Sequence, residues 1–70
     1  MELIEQAISD AFLTCEDELR TSYEYILYET EVFYLDSVLK DSVIRFDMLF
    51  FHPVFQYELI ASCNLDVINW

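Results

Sequence analysis

Seventy residues with fourteen acids against three bases give a formal net charge of −11; 56% of the residues are hydrophobic, twelve are aromatic and none is glycine. That length allows one domain, residues 1–70, with a thin core, because a chain this short buries only about 60% of the surface its unfolded form exposes. The charge excludes direct nucleic-acid binding, which needs clustered Lys and Arg to neutralise phosphates, and opposes contact with an anionic membrane.

From Leu3 the apolar positions Ile4, Ala7, Ile8, Ala11, Phe12, Cys15 and Leu19 recur at steps of three and four. Glu2, Glu5, Gln6, Ser9, Glu16, Asp17 and Arg20 fall opposite, which predicts a first, amphipathic helix. Thr21 and Glu24 have the spacing of a capping box, so a second helix is expected from near Ser22. Its apolar row, Tyr25, Tyr28, Val32, Leu35, Leu39, Val43, Phe46 and Phe50, runs almost to Pro53. One helix of that length would be ~40 Å long, against a radius of gyration of roughly 11 Å for a compact chain of this size. A break is therefore expected at Lys40-Asp41-Ser42, where Asp41 or Ser42 caps a third helix.

The same region is apolar on a second side, through Ile26, Phe33, Val38, Ile44, Met48 and Phe51, leaving Glu29, Asp36, Lys40 and Asp47 in a narrow polar stripe. His52-Pro53 closes the third helix, and Pro53 suits the first turn of a last one that packs Phe55, Leu59, Ile60 and Cys63. Leu65 to Trp70 alternates weakly, as a strand or a docked end. The fold class expected is all-α, a compact bundle of three to four short helices. The alternative is α+β with a short antiparallel sheet from residues 22–36, because Ser22–Tyr28 and Glu31–Leu35 are rich in Tyr, Val, Ile and Phe. Absence of glycine weighs against tight hairpins and so favours helices.

Each base follows an acid by four positions: Glu16 before Arg20, Asp36 before Lys40, Asp41 before Arg45. On helices these would be local ion pairs. The other eleven acids, Glu2, Glu5, Asp10, Asp17, Glu18, Glu24, Glu29, Glu31, Asp47, Glu58 and Asp66, then make up the net charge.

Cys15 and Cys63 read as two small buried hydrophobes in a reducing compartment, with a disulfide as the other possibility. His52 reads as a helix-end residue. Zinc-ligand spacing is lacking, and Glu16-Asp17-Glu18 does not match a calcium loop. The expectation is therefore no enzyme, no cofactor and no metal. An acidic start without a basic leader and no long apolar run point to a cytoplasmic protein, in the host cytoplasm if phage-encoded.

In size, charge and composition the chain resembles the small acidic inhibitors that phages and mobile elements direct against host nucleic-acid enzymes, anti-restriction and anti-CRISPR proteins among them. A carboxylate surface without free cations imitates the phosphate pattern that nucleic-acid-binding proteins grip, so the expectation is a stoichiometric inhibitor that mimics nucleic-acid charge and blocks the basic surface of such a protein. Glu29, Asp36 and Asp47 are the first candidates for contact, with Glu16, Asp17 and Glu24 next and Tyr23 and Tyr34 as aromatic anchors. The competing expectation is a helical adaptor or chaperone-like subunit that binds a partner, or itself as a homodimer, through the aromatic face of Phe46, Phe50, Phe51 and Phe55.

Overall fold

The computed structural model describes the backbone of residues 2–66 and the side chains of residues 6–66. The architecture is α+β: helix α1 (Glu2–Ser22), a one-turn helix α2 (Glu24–Leu27), then strands β1 (Glu31–Lys40), β2 (Val43–Phe51) and β3 (Glu58–Asp66). The strands form an antiparallel meander in the order β1-β2-β3. The all-α bundle is thereby corrected. The α+β alternative named the right class, and its Glu31–Leu35 strand lies within β1, but residues 24–27 are helical and the sheet extends to residue 66.

Two periods compete in the middle of the chain, and the shorter one wins. Ile44, Phe46, Met48 and Phe50 are buried while Val43 and Arg45 are exposed and Asp47, Leu49 and Phe51 are half-buried. That alternation is the signature of a strand with one face on the core. The steps of three and four also run through Val43, Phe46 and Phe50, but β-branched and aromatic side chains favour the pleated surface. The expected third-helix cap at Asp41-Ser42 is instead a two-residue hairpin turn, with Lys40 opposite Val43.

Asp41 and Ser42 both have positive φ, 53° and 64°, as a type I′ turn requires. Glycine is thus dispensable for the hairpin, though at a cost, because a side chain in the left-handed region costs roughly 1–2 kcal/mol. Aspartate tolerates this region better than serine. Ser42→Gly is therefore expected to stabilise the protein by ~1 kcal/mol after allowing for the freer unfolded chain. A thermal melt should register it as a rise of about 4–8 °C.

α1 lies on the sheet face that carries the even-numbered residues of β2. Ala11, Cys15, Leu27, Ile44, Phe46, Met48, Phe50 and Cys63 form the core, with Phe12, Leu19, Val32, Leu59, Ala61 and Leu65 packed around it. Phe12 meets the rings of Phe46 and Tyr34 edge-on at 5.4 and 5.9 Å. Cys15 and Cys63 are joined in a disulfide across a sequence separation of 48, fastening α1 to β3. The reading of two free thiols is corrected, since each cysteine is bonded to the other. Among the described residues no helix is long and apolar enough to cross a membrane.

The expected capping box does not form: Thr21 donates its hydroxyl to the Asp17 carbonyl (2.9 Å), and α2 has no side-chain cap. The last helix is also absent. Pro53 begins only a turn in the β2–β3 connection, which is organised by His52. This buried histidine accepts the backbone N–H groups of Val54 (3.2 Å) and Phe55 (3.0 Å) at Nδ1, so its ring proton sits on Nε2. Phe55 and Tyr57 stack against the ring at 4.7 and 5.2 Å. β3 continues to Asp66; the rest of the expected tail, residues 67–70, lies outside the described residues.

Candidate functional site

Arg20 is the only base in α1 or α2, and the fold turns it inward. Its Nε meets Glu16 Oε2 at 2.7 Å, one terminal nitrogen donates to the Leu27 carbonyl (3.0 Å) and Thr30 Oγ1 (3.1 Å), and the other donates to the Thr30 carbonyl (2.9 Å). The guanidinium carbon also stands 5.1 Å from the centre of the Phe50 ring. Planar, multi-pronged donation of this kind is what arginine supplies and lysine does not. Arg20 ties the end of α1 to the crossing into β1.

With that cation consumed, the exposed charged side chains described on α1 and α2 are Asp10, Asp17, Glu18 and Glu24. Asp10 and Asp17, seven residues apart, lie on one side of the helix about 10.5 Å from each other along its axis. Gln6 donates to Asp10 Oδ1 at 3.1 Å, extending the polar stripe. The side chains of Glu2 and Glu5 lie outside the described residues.

The expected charge pairing held only for Glu16 and Arg20. Asp36–Lys40 and Asp41–Arg45 are not ion pairs, because neighbours four apart on a helix are far apart on a strand or across a turn. Arg45 instead reaches Asp47 on the same side of its own strand, at 3.5 Å. Among the described residues Lys40 has no carboxylate within ion-pair distance.

The first-choice acids are also rearranged. Glu29 sits in the turn before β1 with φ 58°, whereas Asp36 and Asp47 are cross-strand neighbours on the sheet face away from α1. Asp47 accepts the Ser62 hydroxyl at 2.7 Å, and Asp36 accepts the Ser37 N–H at 2.8 Å. Of the remaining candidates, Glu16 is engaged by Arg20, and Asp17 and Glu24 are exposed. Tyr23 is exposed where α1 ends, at φ −125° and ψ 47°. Tyr34 lies on the helix side of β1 with its hydroxyl 2.8 Å from Ser37 Oγ. The aromatic face dissolves altogether: Phe46 and Phe50 are core, Phe51 is half-buried on the opposite sheet face, and Phe55 projects from the β2–β3 connection.

Sequence reasoning missed the far face of the sheet. Its cross-strand rows are Glu31–Phe51–Glu58, Phe33–Leu49–Ile60, Asp36–Asp47–Ser62 and Val38–Arg45–Asn64. The apolar row is largely exposed at its ends, with Phe33 48% and Ile60 72% accessible, while Leu49 between them is half-buried. Strict alternation within Ile44–Phe50 was the signal that could have revealed it.

Two neighbouring grooves run between α1–α2 and β3. One, of ≈ 470 Å³, is lined by Asp17, Glu18, Leu19, Ser62 and Cys63 among others; the second, of ≈ 360 Å³, by Leu19, Tyr23, Ile26, Leu59 and Ile60 among others. Cys15, Cys63 and Glu18 offer ligand atoms within 4.8 Å of one another. The sulfurs are bonded to each other, however, and metal ligation needs thiolates. This cluster therefore offers no thiolate to a metal. No protein-family model, curated protein or solved structure matches the chain.

Proposed function

We propose that the protein acts stoichiometrically, setting the acids of α1 and α2 against the cationic nucleic-acid site of another protein and blocking it. One observation carries this reading: the helix's only base is drawn into the fold, so Asp10, Asp17, Glu18 and Glu24 form a described surface free of positive charge. Because a disulfide pins their helix to the sheet, the backbone carrying these carboxylates loses little freedom on binding. Their field also speeds encounter with a basic groove. Asp36 and Asp47 are less suited, since Arg45 and Lys40 share their sheet face and Asp47 is already bonded.

The test is displacement. Proteins of the source cell held on DNA-cellulose at about 50 mM salt should be released as complexes with this chain, and release should fade as salt approaches about 200 mM. Release that is equal at both salt concentrations would favour the second reading, an adaptor that docks through the Phe33–Leu49–Ile60 row, because apolar contacts hold or tighten with salt.

A further inference from the structure

We infer that the outer edge of β3 receives an extended cationic segment of the partner as a fourth strand. The inference deepens the proposed function, and rests on it, by naming how the partner is held. The two edges of the sheet differ. β1 carries a register shift between Tyr34 and Asp36, and such bulges twist an edge away from further pairing. β3 pairs with β2 in unbroken register from Glu58 to Asp66 and contains no proline or lysine. From Glu58 to Leu65, no described residue bonds to its other edge. That stretch presents a row of backbone donors and acceptors to a further strand.

What flanks that edge selects the occupant. On the helix side it faces the groove containing Asp17 and Glu18. On the far side it ends the apolar row at exposed Ile60. Successive side chains of an added strand point to opposite faces. A segment alternating Lys or Arg with Val or Ile would therefore send its cations to Asp17 and Glu18 and its apolar groups beside Ile60. Charge complementarity thus specifies a basic, alternating partner strand rather than a second copy of this chain, whose net charge is −11.

The probe is the peptide Lys-Val-Lys-Val-Lys-Val-Lys, compared with the same peptide N-methylated at every residue, which keeps its charge and loses its backbone donors. With the disulfide-bonded protein at low salt, the unmethylated peptide should bind at least about tenfold more tightly, the worth of one or two backbone bonds. It should also slow hydrogen exchange at those β3 amides that do not bond to β2, leaving β1 amides unchanged. Asp17→Asn with Glu18→Gln should weaken it while the far-UV spectrum stays the same. Equal affinity for the two peptides, or protection confined to β1 or α1, would overturn the strand addition and leave the proposed function standing. Absence of binding by either peptide would overturn it too, and the displacement assay would then judge the proposed function separately.

Discussion

Replacing Cys15 and Cys63 with alanine is expected to lower stability by ~4 kcal/mol, the chain-entropy value for releasing a loop of this size. The bond spans a sequence separation of 48, most of the chain. A domain of about this length has roughly 4–10 kcal/mol of stability in all, so the loss approaches the whole. The midpoint of thermal unfolding should fall by on the order of 15 °C or more, and a reductant should do the same to the unaltered protein. Circular dichroism melts with and without reductant would check this; coincident melts would mean that the core holds α1 without the bond. The size of the effect follows from the architecture. Ala11, Cys15 and Leu27 are the only buried helical residues described, so α1 has few fully buried anchors on the sheet.

Arg20→Ala is the next largest, with an expected loss of ~3 kcal/mol. The Leu27 carbonyl would keep two donors, the Thr30 N–H at 3.1 Å and the Thr30 hydroxyl at 2.6 Å. The Thr30 carbonyl would lose the Arg20 donor, and Thr30 is buried. Leaving such a group unmet costs about 1–3 kcal/mol. The ion pair with Glu16 is partly exposed, with 31% of the Arg20 side chain and 20% of the Glu16 side chain accessible, and adds about 0.5 kcal/mol. Contact with Phe50 and packing of the stem supply about another 1 kcal/mol. Arg20→Lys should restore less than half, since one ammonium cannot satisfy four acceptors spread around a planar fork. Urea unfolding of both variants measures the difference directly.

α1 was legible because nothing in Leu3–Leu19 competes with its helical period. Glu16 and Arg20 were legible for the same reason, as both lie inside that helix. From Tyr25 onward, apolar residues occupy so many positions that the helical and strand periods both find a row. Length decided against one long helix but did not decide between shorter helices and strands. Absence of glycine does not preclude tight turns here: Asp41 and Ser42 make the hairpin turn themselves, and Glu29 (φ 58°) and Gln56 (φ 57°) take left-handed conformations elsewhere. With the middle of the chain a sheet, the predicted stripe of Glu29, Asp36 and Asp47 breaks apart, Glu29 falling in a turn and the two aspartates side by side on neighbouring strands. Thr30 carried no sequence signal, because its role depends on an arginine ten residues away. The Cys15–Cys63 pairing likewise depends on where α1 crosses β3, which spacing alone does not fix.

The most direct measurement compares two charge-reversed proteins in the DNA-cellulose displacement at low salt. One carries Asp10→Lys, Asp17→Lys and Glu24→Lys; the other carries Asp36→Lys and Asp47→Lys. If the helix acids take the place of phosphates, the first should release nothing while keeping its melting cooperative, and the second should release its partner as the unaltered chain does. Full release by the helix variant, or loss of release in the sheet variant alone, would contradict the account.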